Sequence, residues 1–368
     1  MKSLFAVVAF AGLAATAMAQ SLGYTVVYTD QISDTIGAVN TVGAPYTLVD
    51  FRSFQSDFDT RLAWITPGPG GALYVANGPA PVPNPTPKAG IYRIDNIFTS
   101  PTVTWAGGGD PLQNPVGIIY DAPRSQFIAI SNPQGNIAQG PRDGIFGVSV
   151  PGATVTELYA EPSIFGTPRP RYEAGHHIVQ DSLSGRYIVS CVNGGTSAPV
   201  NSDPDASTLW YFDAATNNVS LLADLSGILP GGHSITRLTG MATIPGDNDL
   251  FVADQLIGVG EGAIYRILRD DTTGAVTGAS LVLGGLTQPE QLLYNPYSGK
   301  LIVNERANFG GEFGPAGTPR IFEMNLDGSN VVTLASGMHA RGLYVIPAPA
   351  GAAVLGLAGL VAARRRRN

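Results

Sequence analysis

One short phrase recurs along this chain, and it constrains the fold more than any other feature. It is clearest at Asp249 to Asp254, DLFVAD, where an apolar, β-rich run is closed by one small acidic or amide residue. The phrase returns as YTVVYTD ending at Asp30, LYVAN ending at Asn77, FIAISN ending at Asn132, YIVSCVN ending at Asn193 and KLIVNE ending at Glu305. The closing residues stand 47, 55, 61, 61 and 51 positions apart. Self-similarity on this scale marks a repeat architecture, because a unit that small cannot bury its apolar face alone and must lay it on a neighbour.

Each unit reads as four strands. In the second, Leu62 to Ile65 is followed by the turn PGPGG and by Ala72 to Ala76; then come GIYRID and TVTWAG. Later units follow suit, with turn residues at the first hairpin: Ser184-Gly185, Gly246-Asp247 and Ser298-Gly299. Abundant Gly (46) and Pro (28), and β-branched runs between turn clusters, argue for an all-β chain. Four-stranded units of this kind are propeller blades. The ends complete the ring. Ala340 to Ile346 is a first strand with nothing after it, and Tyr24 to Phe51 supplies the other three. Pairing the two removes free sheet edges. The expectation is a six-bladed β-propeller over residues 20–346, closed by its N- and C-terminal strands.

The flanks carry an address. Residues 1–19 have the form of a signal peptide: Lys2, an apolar core from Leu4 to Ala15, and Ala17-Met18-Ala19 before Gln20. Residues 347–368 begin Pro347-Ala348-Pro349, continue as an apolar run from Ala350 to Ala363, and end in Arg364 to Arg367 and Asn368. This tripartite tail resembles the PEP-CTERM sorting signal of bacterial exported proteins, with Ala348 where that motif has Glu. The resemblance implies an exported, cell-envelope or extracellular protein. It also implies a sorting or processing protease at the tail, and a membrane contact only through the short tail helix.

Lys2 and the four tail arginines are five of the 21 basic residues, while all 28 acidic residues lie in the body, whose net charge is therefore −12. An acidic body without a basic stripe excludes nucleic acid as a partner. The single cysteine, Cys191, lies inside a strand-like run and reads as a small buried hydrophobe.

In a propeller the inner strands start, and the second strands end, on one face. That places Asp30, Asn77, Asn132, Asn193, Asp254 and Glu305 near Arg61, His176, Thr239, Glu290 and Arg341, with His177 and His339 close by. The long loops Gly78 to Gly90, Pro133 to Gly144, Gly194 to Ser207 and Arg306 to Pro319 leave the same face and suit a protein or polysaccharide ligand. The candidate site is His176, Asn193, Asp254, Glu290, Glu305 and Arg341. Carboxylates and amides there could hold Ca²⁺ or support acid–base chemistry; equally, Asn and Asp close strands because they make turns. Arg341 is either a counter-ion for the carboxylates or a clamp for a substrate. Asn201-Ser202-Asp203-Pro204-Asp205 lacks the Gly and the distal Glu of a calcium loop, and reads as a solvated turn.

The Gly-led inner strands, Val116-Gly117, Thr239-Gly240 and Arg341-Gly342, resemble those of NHL and SMP-30/gluconolactonase-like propellers. That resemblance implies a metal site in which Asn193, Asp254 and Glu290 would stand for the acidic and amide ligands. Two main readings follow. One is a non-catalytic binding scaffold for protein or glycan. The other is a metal-dependent hydrolase or lactonase acting on the axis; a lyase using His176 or His339 is a third.

Overall fold

The computed structural model describes residues 21–54, 60–79, 89–109, 111–112, 114–131, 144–160, 175–191, 208–230, 238–255, 262–306 and 318–347. They form six four-stranded antiparallel sheets. Blade I holds β1 (Ser21–Asp30), β2 (Thr35–Thr41) and β3 (Pro45–Asp50). Blade II holds β4 (Thr60–Pro67), β5 (Leu73–Pro79), β6 (Gly90–Asp95) and β7 (Thr102–Gly108). Blade III holds β8 (Pro115–Asp121), β9 (Gln126–Ser131), β10 (Gly144–Ser149) and β11 (Val155–Ala160). Blade IV holds β12 (Gly175–Gln180), β13 (Tyr187–Cys191), β14 (Thr208–Asp213) and β15 (Asn218–Asp224). Blade V holds β16 (Leu238–Thr243), β17 (Leu250–Asp254), β18 (Gly262–Arg269) and β19 (Val276–Leu286). Blade VI holds β20 (Pro289–Asn295), β21 (Lys300–Glu305), β22 (Arg320–Met324) and β23 (Val332–Ser336).

The last strand, β24 (Ala340–Pro347), returns to blade I as its innermost strand. It pairs antiparallel with β1, from Tyr24 opposite Pro347 to Asp30 opposite Ala340. The expected six-bladed ring, closed by both terminal strands, is the observed fold. The inner strands touch in the order β24, β4, β8, β12, β16, β20 and back to β24, which closes the ring.

The core explains the phrase that announced the fold. It is divided into six apolar clusters, each held between two adjacent blades. Alternate residues of a second strand serve different clusters. Leu250 and Val252 pack toward blade IV, whereas Phe251 and Ala253 pack toward blade VI. With neighbours on both faces, a second strand has no polar side, so it reads as one continuous apolar run rather than an alternating one.

On the face where inner strands end, one buried ion pair ties blade IV to blade V. The Arg269 guanidinium donates to Asp181 at 2.9 and 3.3 Å, to Tyr211 Oη at 2.7 Å, and to the carbonyls of Gly274 and Asn248 at 3.0 and 3.1 Å. All five of its N–H donors are thereby used. Burial alone would raise the Asp181 carboxyl; the Arg269 and Ser184 hydrogen bonds outweigh it and hold that group below the usual carboxylate range.

Candidate functional site

The site is built by a defect repeated in every blade. Where each inner strand begins, two of its residues face one residue of the second strand. The pairs are Arg341-Gly342, Ala63-Trp64, Val116-Gly117, His176-His177, Thr239-Gly240 and Glu290-Gln291. A bulge of this kind bends the strand and re-aims a side chain. It also leaves backbone groups outside the ladder, and these need other partners. Three second strands supply them from the residue opposite the bulge. Thr29 Oγ1 accepts from Gly342 N at 2.7 Å and donates to Ala63 O at 2.6 Å. Ser190 Oγ accepts from His177 N at 3.2 Å and donates to Thr239 O at 3.4 Å. Asn304 accepts from Gln291 N at 2.7 Å and donates to Ala340 O. Each of these side chains thus stitches its own inner strand to the next one.

The Gly-led strands have a steric reason. A Cβ at Gly117 would lie 2.7 Å from His176 O, and one at Gly240 would lie 2.6 Å from Gln291 Cα. These glycines let neighbouring inner strands approach closely enough for the bulged side chains to meet on the axis.

What meets there is a buried polar hub centred on Glu290. Arg341 Nε donates to Glu290 Oε1 at 3.2 Å, and Arg306 donates to Oε2 at 3.2 Å. Gln255 Nε2 also donates to Oε2. His176 Nε2 stands 3.7 Å from Oε1. His176 Nδ1 donates to Thr239 O at 3.3 Å, which leaves Nε2 as the nitrogen that faces Glu290. Trp64 lies edge-on to His176 at 4.8 Å, and the Arg341 guanidinium lies 5.8 Å from the indole. Arg306 reaches on to Gln31 Oε1 at 3.1 Å, in blade I. His176 and Glu290 are 0 % and 1 % exposed, and Arg341 is 8 % exposed. Taking a carboxylate out of water this completely is costly unless it is paired and hydrogen-bonded. Two guanidinium groups and an amide meet that requirement.

Of the six residues singled out from the sequence, His176, Glu290 and Arg341 come together in the hub. Glu305 closes β21, accepts from Thr287 N at 2.7 Å and pairs with Arg320. Asp254 closes β17, fully buried opposite Leu238. Asn193 lies outside the described residues, as does Asn132; the ladder positions equivalent to Asp30, Asn77, Asp254 and Glu305 are Ser131 and Cys191. Asp30 makes a turn, accepting from the backbone of Ile32 and Ser33, and its other oxygen accepts from His339 N at 3.0 Å. Among the described residues, no group of three or more His, Cys, Asp or Glu side chains is arranged to hold a metal. Trp64, Gln255 and Arg306 belong to the hub and were not singled out from the sequence. The signal for Trp64 was its place two residues after Leu62, level with His177 and Gln291 once the bulge is counted.

His177 is the second buried histidine of β12. Its Nδ1 accepts from Met241 N at 2.7 Å, so the ring is neutral and carries its proton on Nε2. Burial lowers its pKa to about 3, against a smaller opposing pull from Glu290. A histidine held neutral in the fold but free to protonate near its ordinary pKa when unfolded costs stability as pH falls. Its contribution is intact above about pH 6.5 and is lost progressively toward pH 3, by up to about 1.4 kcal/mol per unit. His339, also lowered by burial, acts in the same direction. Urea unfolding at pH 7 and pH 5 is therefore expected to show a loss of about 2 kcal/mol. A His177→Gln variant, less stable at pH 7, is expected to show a flatter profile; an unchanged slope would assign the acid sensitivity to other groups.

No family model matches this chain, and no curated protein matches it. Solved structures do. A protein assigned as TolB from Agrobacterium tumefaciens superposes with a TM-score of 0.52 at 11% identity, over 89% of this chain and 98% of that one. A protein assigned as a 6-phosphogluconolactonase from Bacteroides fragilis gives 0.52 at 12%, over 88% and 98%. An auxiliary nutrient binding protein from Bacteroides thetaiotaomicron gives 0.50 at 13%, over 86% and 70%. At such identity the likeness is one of fold: this chain is a six-bladed β-propeller, a scaffold shared by proteins of different activity.

Proposed function

We propose that this chain is an exported, cell-surface or extracellular-matrix propeller that acts as a non-catalytic binding scaffold, taking a protein or glycan at the loops that follow its second strands. The observation that carries this reading is the pairing of Glu290. Arg341 and Arg306 both hold its carboxylate, with Gln255 on the second oxygen. Glu305 is likewise taken, by Arg320. Carboxylates committed to internal ion pairs serve the ring rather than a cation, and recognition then falls to the loops. Most of each loop, residues 80–88, 132–143, 192–207 and 307–317, lies outside the described residues.

The experiment is binding of the fluorescently labelled protein to envelope and matrix fractions of a producing cell. Saturable binding that is lost when residues 194–206 are replaced by a short Gly-Ser linker, with unfolding unchanged, supports the scaffold. Absence of saturable binding by the parent chain would count against it. The metal-dependent reading is tested in parallel. Bound calcium in the purified protein, with a melting temperature that drops in chelator, would revive a Ca²⁺ hydrolase using Asn193, Asp254 and Glu290.

The address is proposed from the flanks: export through residues 1–19, then retention at the envelope by the tail until a sorting protease acts. Among the described residues no helix is long and apolar enough to cross a membrane, and the apolar run 350–363 lies outside them. Because β24 extends to Pro347, paired with Tyr24, a truncation that spares the ring starts at residue 348. Loss of residues 348–368 is expected to move folded protein from the cell fraction to the medium. Cell association that survives the truncation would remove the tail as the anchor.

A further inference from the structure

On the face opposite the hub the inner strands end, and each blade turns back through its first hairpin. Two of these turns share one frame. In Asp181 to Gly185 and in Asn295 to Gly299, the first side chain accepts from the backbone two residues on, from Leu183 N at 3.4 Å and from Tyr297 N at 3.0 Å. Its carbonyl accepts from the closing glycine at 2.9 Å in both turns. Gly185 and Gly299 have φ of 69° and 70°, left-handed backbone that glycine adopts without strain. The frame holds its middle residue out from the ring: Leu183 is 36 % exposed and Tyr297 51 %. On blade II the β6–β7 turn, closed from Thr99 N to Asn96 O at 2.9 Å, presents Phe98, 40 % exposed.

Turn positions are ordinarily filled by Gly, Pro, Asn, Asp or Ser. One exposed apolar side chain carries no message. These three stand on blades II, IV and VI, alternate members of the ring, on the face where β24 ends. Pro347, Ser182 and Pro296 each lie five residues past the second residue of their own strand's bulge, at Gly342, His177 and Gln291, so the three are level across the ring. The next residues of the two turns are Leu183 and Tyr297. In the sequence the apolar run begins at Ala350, three residues on from Pro347, a reach of at most about 10 Å.

We propose that this face is a membrane-contact surface, with Phe98, Leu183 and Tyr297 entering the headgroup boundary as three points of one seat. The inference rests on the tail anchor proposed above: with the run from Ala350 in the bilayer, so short a reach holds the turns at the lipid surface. The body thus adds a contact of its own to that of the tail. Asp270, Asp271 and Asp327 are exposed in the turns of the same face. They would be repelled by anionic headgroups, so the surface that fits is zwitterionic.

The test uses the full-length chain reconstituted in phosphatidylcholine vesicles. A nitroxide is attached singly at Phe98→Cys, Leu183→Cys or Tyr297→Cys, with Ile32→Cys, exposed in a turn of the hub face, as the reference. Cys191 is buried and stays unlabelled. Collision with a water-soluble nickel chelate is expected to fall severalfold at positions 98, 183 and 297 relative to 32, while collision with oxygen rises, as for side chains at the headgroup boundary. A chain that floats with the vesicles but is as wet at 98, 183 and 297 as at 32 would overturn the seat and leave the tail as anchor. A chain that does not float with them would overturn both. Spin–spin broadening between singly labelled chains would assign the face to a second copy instead of lipid, and would also overturn the proposal.

Discussion

Glu290→Gln is expected to destabilise the protein by about 3–5 kcal/mol, the range measured when one partner of a buried ion pair is removed. The substitution keeps the shape of the side chain and removes only its charge. Arg341, 8 % exposed, and Arg306 then face a neutral amide on the axis. Against a total of about 5–15 kcal/mol for a native protein, this is a large loss, read as a lower urea midpoint. Adding Arg341→Gln should restore part of it, because the second change removes the stranded charge. The same measurement separates the two roles a buried carboxylate can have. Groups kept for chemistry are often held at a cost to stability, so replacing one commonly stabilises the fold. A higher midpoint for Glu290→Gln would identify the hub as a working site and overturn its structural reading.

A loss of similar size, about 3–5 kcal/mol, is expected for Asp181→Asn. Arg269 would keep its bonds to Tyr211, Gly274 and Asn248, but its guanidinium would lose the carboxylate it is paired with. Its side chain is 1 % exposed, so water cannot replace the missing charge. The double variant Asp181→Leu with Arg269→Met should recover most of the loss, since apolar groups of similar volume often replace a buried ion pair at little net cost. Equal stability of Asp181→Asn and the parent would show that the blade IV–blade V seam is held by its apolar cluster alone.

The ring was legible in the sequence for a physical reason. A second strand buried between two blades must be apolar on both faces, and that requirement writes the same phrase into each repeat. Terminal closure was legible too, because Ala340 to Ile346 and Tyr24 to Phe51 are incomplete without each other. The hub was legible only in part. His176, Glu290 and Arg341 were placed at inner-strand starts and do meet on the axis. Trp64 is not legible in this way: the motif puts Arg61 at the start of the blade II inner strand, two residues before Ala63, which the ladder aligns with His176, Glu290 and Arg341. Asn132 and Asn193 were aligned with Asp254, whereas the ladder aligns Ser131 and Cys191. A bulge is a property of two paired strands, and nothing in the periodicity of one strand reveals it. Arg306 and Gln255 follow their strands as ordinary polar residues; only the closed ring brings them to Glu290.

The ending of β24 has a directional consequence. This strand begins at Ala340 beside the hub and runs the length of the axis to Pro347. Whatever follows Pro347 therefore departs from the face opposite the long loops. A protein tethered through that end would stand on its axis, with the hub and the loop crown turned outward, away from the surface holding it. Its six blades would be spread parallel to that surface, and a partner arriving from outside would meet the crown first.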